Sequence, residues 1–338
     1  MSRLSWSSLA CCWLAWCSVL PAATDPPASS SQPPSHSAVQ PVAAPPVSEV
    51  SIQAPEPRYV APTLRDKIGR IWAPVLINGK GPFRLVLDTG ANHSAVTASV
   101  AQALGIPVDE STSFALQGVT GSATVPSIRV DNLLVGDLMT SSTLLPIVPD
   151  ALGGAQGVLG TEGLLDKRIF IDFERDRITI KRSHNGRAPY GFVTIPVKIS
   201  AQHLLMTTAR VGSVRAIAII DTGAQTSIAN LALRQELLRH RSRYVFTDDE
   251  VTGATDAVTK GQDAAFPPIG LGPIWIEGAH ITTGDLQIFG AWKLTNTPAI
   301  LIGMDALGTL DELVIDYRRH ELQLLVRHNG ISTEREYE

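Results

Sequence analysis

The sequence predicts an all-β protein with a few short helices, built as two lobes related by a pseudo-twofold axis, with a cleft between them. Three observations predict it. The tripeptide Asp-Thr-Gly occurs twice, each time closing an apolar run: Leu85–Leu87 before Asp88-Thr89-Gly90, and Ala218–Ile220 before Asp221-Thr222-Gly223. Further motifs follow each copy in the same order: Val119-Thr120-Gly121 and Val251-Thr252-Gly253, Val158-Leu159-Gly160 and Leu301-Ile302-Gly303, Ile171-Asp172-Phe173 and Ile315-Asp316-Tyr317. The offsets are nearly constant, at 221−88 = 133, 253−121 = 132, 303−160 = 143 and 316−172 = 144.

Ordered motifs at a fixed offset mean a duplicated unit. The step from 132 to 143 places an insertion of about a dozen residues in the second copy, within Lys260–Ala299. The bland alternative is two similar β domains with no shared site. Against it, the matched tripeptides are polar and stand where a strand should end.

Residues 1–23 read as a secretory signal: Arg3, an apolar stretch from Leu4 to Leu20, then Ala22-Ala23. Serines interrupt the stretch and it is short for a membrane span, so cleavage is the expectation. An uncleaved N-terminus would allow loose membrane association. Lipidation at Cys17 fits poorly, because Trp16 precedes it. All three cysteines (Cys11, Cys12, Cys17) lie in this segment, so the mature chain has no disulfide or thiol chemistry. The expected location is periplasmic or secreted.

Residues 24–65 are rich in Pro, Ala and Ser, with Pro-Pro pairs at 26, 33 and 45. Such a stretch cannot build a core and is expected to be a disordered tether. It has no lysine with which to mask two carboxylates, so a spacer is favoured over an inhibitory propeptide.

An N-terminal lobe is expected over 66–183, a connection over 184–191, a C-terminal lobe over 192–327 and a polar tail over 328–338. In the first lobe, Ile71–Ile77 and Phe83–Leu87 are β-prone runs around the hairpin signal Asn78-Gly79-Lys80-Gly81. In the second, Leu205–Val211 and Val214–Ile220 flank Gly212-Ser213. In both lobes the later strand delivers the aspartate. Each tripeptide is followed by a helix, one over Ala98–Leu104 capped by Thr97 and stopped by Gly105, the other over roughly Ala229–His240. Further strands are expected at Ile128–Val135, Ile169–Phe173, Ile178–Lys181, Leu313–Tyr317 and Leu322–Val326. Asn185-Gly186 and Pro189 signal turns in the connection.

A length of 338 residues suffices for two lobes, each with its own core, and 44% hydrophobic content fits a globular protein. A net charge of −4 with no basic stripe gives no sign of nucleic-acid binding. The densest basic cluster, Arg234 with Arg239 to Arg243, follows a helical apolar pattern and reads as a solvated helix face. The histidines are scattered, with no HExxH, so no metal or other cofactor is expected. There is no GxSxG elbow and no Walker loop, and Gly153 to Gly157 reads as a turn before a buried strand. His93 falls near the dyad by sequence, where a surface or core role is favoured over a catalytic one.

Two carboxylates, Asp88 and Asp221, held a few ångströms apart at strand tips cannot both ionise cheaply, so the pair shares a proton. One can then take a proton from water while the other hydrogen-bonds a carbonyl oxygen. Gly90 and Gly223 let the two backbones approach, which a β-carbon would obstruct. Thr89 and Thr222 can send hydroxyls across the axis to buried backbone groups.

These residues resemble the retropepsin-like aspartic proteases, including bacterial exported members, with two retropepsin-like repeats in one chain. The resemblance covers Asp66–Arg327. It implies an aspartic endopeptidase that acts on peptide or protein substrates, as a monomer behaving as an internal pseudo-dimer. It also implies that Ser111–Val125 and Thr247–Val258 are flaps, tipped at Gly118–Gly121 and Gly253-Ala254, with Gly118, Val119, Thr120, Gly121, Val251, Thr252 and Gly253 against the substrate. Gly160 and Gly303 would pack beneath the catalytic loops. The viral pattern of Asp after the tetrad and Arg after the apolar-apolar-Gly is absent, because Asn92 and Gln225, Thr161 and Met304 stand there. A covalent link between lobes makes that ion pair less important. Ala91 and Ala224 cannot donate a side-chain hydrogen bond to the carboxylates, so the expected pH optimum is mildly acidic to neutral. Asp248, Asp249, Glu250 and Asp256 on the second flap read as a solvated loop, ahead of a preference for basic substrate residues. The rival to catalysis is a non-catalytic module that keeps the cleft and binds peptides or a protein.

Overall fold

The computed structural model describes residues 58–62, 71–135, 138–150, 154–240, 244–255 and 257–326. The expected signal at 1–23, most of the tether and the tail at 328–338 lie outside the described residues, as do Gly153, Asp256, Arg241 and Arg243.

The first repeat runs β1 (Arg58–Pro62), β2 (Trp72–Ile77), β3 (Lys80–Leu87), β4 (Ala95–Thr97), α1 (Ala98–Leu104), β5 (Asp109–Gln117), β6 (Ser122–Val135), β7 (Leu138–Val148), β8 (Gly157–Leu159), β9 (Lys167–Asp172) and β10 (Arg177–Arg182). The second opens with β11 (Val193–Pro196), β12 (Lys198–Ile199), β13 (Leu205–Val211), β14 (Val214–Ile220), β15 (Ile228–Asn230), α2 (Leu231–His240), β16 (Thr247–Thr252) and β17 (Val258–Ala265). It continues through β18 (Ile269–Leu271), β19 (Ile274–Ile276), β20 (His280–Gly284), α3 (Gln287–Ala291), β21 (Ala299–Ile302), α4 (Met304–Leu307), β22 (Leu310–Asp316) and β23 (Glu321–Val326). The fold is all-β with short helices, in two lobes.

Each lobe has its own sheet. The first is ordered β2-β3-β8-β4-β7-β6-β5, and the second β16-β17-β20-β15-β21-β14-β13-β18-β19. Read in matching direction, β3, β8, β4 and β7 take the places of β14, β21, β15 and β20. The registers match as well. Val86 lies beside Val158 on parallel β3 and β8, and Ile219 beside Leu301 on parallel β14 and β21.

A third sheet, β1-β10-β9-β22-β23-β11, takes three strands from each repeat and joins the lobes. Ile169, Ile171, Ile178, Leu313 and Ile315 from both repeats are fully buried there and share one apolar core with the lobe sheets.

Local sequence explains the principal elements. Asn78 and Gly79 both take positive φ (49° and 73°), the mirror-image turn that a two-residue hairpin between right-twisted strands requires. Along β14 the pattern alternates through Arg215 and then becomes wholly buried at Ala218–Ile220, where the strand enters between neighbours on both faces. Helix α1 buries Val100, Ala101 and Leu104 and stops at Gly105, which is left-handed at φ 70°. Helix α2 buries Leu233 and Leu237 and turns Arg239 and His240 to solvent, whereas Arg234, expected on the same solvated face, is half-buried with its guanidinium 4.1 Å from the Phe246 ring centroid.

Four expectations change. The tether was expected to run to residue 65, but Arg58–Pro62 forms β1 against β10. It is a short edge strand, where proline is tolerated, and Pro57 before it and Pro62 at its end hide it in the sequence. Thr97 stands at the N-cap of α1, yet its hydroxyl bonds Ser99 and the Gln156 carbonyl and leaves the helix uncapped. Helix α2 starts at Leu231 rather than Ala229, because Asn230 accepts from Leu233 N at 2.9 Å and caps it. The insertion is split in two. Thr97 pairs with Val148 and Asn230 with Gly284, an offset of 284−148 = 136. The flap turns, closed by Gln117 with Ser122 and by Thr252 with Val258, are already offset by 252−117 = 135 and 258−122 = 136, so some of the extra residues precede the second flap turn, and the rest lie between β20 and β21, where α3 forms.

Candidate active site

Strands β3 and β14 end at the junction of the lobes and deliver Asp88 and Asp221. Four hydrogen bonds clamp the loops that follow. Thr89 Oγ1 donates to the Ile220 carbonyl at 2.8 Å, and Thr222 Oγ1 to the Leu87 carbonyl at 2.7 Å. Thr89 N donates to Thr222 Oγ1 at 3.2 Å, and Thr222 N to Thr89 Oγ1 at 3.1 Å. Both threonines are buried. The cross-axis hydroxyls expected from the sequence are therefore present, and each serves as donor and acceptor.

The glycines act as expected. A β-carbon on Gly90 would overlap the Asp221 carboxyl, and one on Gly223 would overlap that of Asp88. Each carboxyl thus sits against the opposite loop. Gly90 N donates to Asp88 Oδ1 at 2.8 Å, and Gly223 N to Asp221 Oδ1 at 2.8 Å. Ala224 N adds a longer bond to Asp221 Oδ1, at 3.2 Å. Alanine at this position still supplies its backbone donor.

The two carboxyls differ in environment. Asp221 is 7% exposed, whereas Asp88 is half-buried. Burial, first, and then the negative charge of Asp88 hold the Asp221 carboxyl well above the usual carboxylate range, and a hydrogen bond with Asp88 adds to this. The fully buried Tyr317 phenol is pushed up by burial and by the charge on Asp88.

Gly160 and Gly303 lie where expected, under the loops. A β-carbon on Gly160 would strike the His93 backbone, and one on Gly303 the Thr226 backbone. Here the structure adds residues that the sequence reading missed. Gly160 N donates to Ser94 Oγ and Gly303 N to Ser227 Oγ, both at 3.0 Å. Ser94 N in turn donates to Glu162, and Ser227 N to Asp305 at 2.9 Å. Each loop is therefore braced from below by a serine and an acid. The signal was in the offsets, since 227−94 = 133 and 305−162 = 143 repeat the spacings already found.

Both expected flaps are β-hairpins, β5–β6 and β16–β17. Their tips touch. Thr120 Oγ1 donates to the Ala257 carbonyl at 2.6 Å, and Thr259 Oγ1 to the Thr120 carbonyl at 3.3 Å. The first tip also rests on the second lobe, where Ile288 N donates to the Val119 carbonyl at 3.3 Å. Beneath them lies a cleft of about 460 Å³ lined by Asp88, Asp221, Gly90, Gly223 and the flap residues Gly118, Val119, Val251, Thr252 and Gly253. Thr120 and Gly121 engage the opposite flap and do not line the cleft. Asp249 and Glu250 line it while remaining exposed, and Asp249 accepts from Thr282 Oγ1 at 2.6 Å. His93 is exposed at the cleft wall, edge-on to Phe114 at 5.3 Å between ring centroids.

Residues 73–165 match the family model described as "gag-polyprotein putative aspartyl protease". The match covers the first repeat from β2 to just past Gly160. No curated protein matches the chain. Among solved structures, the chain is similar to the crystal structure of Basic 7S globulin from soybean, with 13% identity, a TM-score of 0.44, and coverage of 80% of this chain and 96% of that one.

Proposed function

We propose that the protein is an aspartic endopeptidase that hydrolyses peptide bonds with water activated between Asp88 and Asp221. The observation that carries this reading is the seating of each carboxyl against the opposite glycine, in a cleft beneath the two flaps. Asp221, the more buried carboxyl and one held well above the usual carboxylate range by burial and by the charge of Asp88, keeps its proton and hydrogen-bonds the substrate carbonyl. Asp88, half-buried, is the base that takes a proton from the attacking water. The proton on Asp221 stabilises the developing oxyanion, and the proton that Asp88 took from water then passes to the leaving nitrogen as the C–N bond breaks. The substrate lies extended between flaps and dyad, as an added strand with alternating side chains in pockets. Residues 1–23 export the chain to the periplasm or beyond, where it acts as a monomer.

The test is cleavage of a diverse peptide library across pH 4 to 8, beside Asp88→Asn and Asp221→Asn. The full chain is used, because a fragment starting at Ala61 would cut into β1. Loss of cleavage in both variants supports a shared dyad. Cleavage surviving in either sinks it, and peptides bound but never cut by the parent favour a binding module.

A further inference from the structure

The two halves of the cleft are related by the pseudo-twofold, so their pockets can be compared position by position. In the first lobe, Val86, Ala95 and Val158 line the cleft. Their neighbours are fixed by register, with Val86 beside Val158 on β3 and β8, and Ala95 opposite Val158 on β4 and β8. The same registers in the second lobe pick out Ile219, Leu301 and Ile228. In the order Val86 to Ile219, Ala95 to Ile228 and Val158 to Leu301, the side chains grow by one, three and one carbon atoms.

Larger residues are half of the difference. The connection between β7 and β8 spans 149–156, and that between β20 and β21 spans 285–298. The longer one forms α3, whose Ile288 and Phe289 pack with Leu286 over Ile219 and Leu301. Both of these are fully buried and do not line the cleft. Ile288 and Trp292 face the cleft in their place.

We infer that the cleft takes one large apolar side chain, in the first-lobe pocket bounded by Val86, Ala95 and Val158, and only a small one in the second-lobe pocket filled by α3. The inference rests on the peptidase reading for its substrate, a peptide lying across the axis. Residues on either side of the scissile bond then fall into the two unequal pockets. One methylene in an apolar pocket is worth roughly 10- to 200-fold in discrimination, so the difference should be plain in selectivity.

Two peptide series test this, with Ala, Val, Leu or Phe on one side of the scissile bond or on the other. Cleavage is read for the parent, Ala95→Ile and Trp292→Ala. Binding of the same series, with a non-cleavable reduced amide at the bond, is read for Asp221→Asn. The parent should favour Phe over Ala by at least tenfold on one side and disfavour it on the other. Ala95→Ile should abolish the first preference alone, and Trp292→Ala should relax the second alone. Equal size preference on both sides overturns the inference, as does action of both variants on the same side. A thermal melt shows whether Ala95→Ile still folds, and Trp292→Ala tests the other pocket independently. Unequal binding without cleavage would refute catalysis and keep the pockets. Cleavage with equal preferences would do the reverse, and neither binding nor cleavage would remove both.

Discussion

Phe170 and Val314 lie directly opposite each other where β9 meets β22, and they are 314−170 = 144 positions apart. The repeat itself has this offset at Asp172 and Asp316. A residue paired with its own counterpart marks where the pseudo-twofold crosses the sheet. From that point the same strand pair ends differently in its two directions. Arg168 faces Asp316 at one end, and Asp172 faces Glu312 at the other. Burial and then the charge of Asp172 raise the Glu312 carboxyl above its ordinary range.

The Arg168 end fastens the lobes. Arg168 is 7% exposed and Asp316 fully buried, and the arginine reaches Asp316 Oδ2, Gln323 Oε1 and the Gly186 carbonyl of the interlobe connection. Arg168→Met should cost about 3–5 kcal/mol, because it leaves a buried carboxylate without its cation. Urea denaturation at pH 7 measures this, and a loss under about 1 kcal/mol would show that the pair contributes little.

The threonine clamp makes a different prediction. Thr222→Val keeps the shape of the side chain but leaves the Leu87 carbonyl and Thr89 N without their partners. Two buried backbone groups at about 1–3 kcal/mol each give an expected loss of about 2–6 kcal/mol. Thr222→Ser keeps the hydroxyl and should lose only about 1 kcal/mol for the methyl group. Equal losses for Val and Ser would mean that packing, not the hydroxyl, holds the loops.

Gly223→Ala is the sharpest probe of the dyad. Its β-carbon would occupy the space of the Asp88 carboxyl, so the two carboxyls must separate. Cleavage should fall by at least about 100-fold, since misplacement by an ångström costs that much. A crystal structure of the variant with both carboxyls undisturbed would contradict this.

The raised Asp221 carboxyl ties stability to pH. The folded chain binds this proton more tightly than the unfolded chain does, so the group weakens folding as pH climbs from the ordinary carboxylate range through the raised value. Asp221→Asn removes that penalty. The variant should melt close to the parent near pH 4 and above it near pH 8, with the gap widening in between. A gap that narrows with rising pH would reverse the sign. The same raised group should carry the alkaline limb of cleavage above the usual carboxylate range, in line with a mildly acidic to neutral optimum.

The parts visible in the sequence were those with a local signature. The apolar runs before Asp88 and Asp221, the Asn78-Gly79 turn and the glycine after Leu104 each encode their element within a few residues. β7 was missed because Ser141, Ser142 and Pro146 break its β pattern, and its place is set by pairing with β6 and β4. The brace of Ser94 with Glu162 joins residues 162−94 = 68 positions apart, and neither is distinctive alone. Helix α3 reads as part of a loop, since its five residues fold over Ile219 and Leu301 only once the second lobe is assembled.

The covalent join between repeats changes what a single codon can do. In a symmetric pair of identical subunits, every substitution appears twice and alters both walls of the cleft together. Here Ala95 and Ile228 are written separately, and the connections 149–156 and 285–298 differ in length. Each wall can be reshaped while the other keeps its form, so left and right recognition are free to be inherited and revised independently.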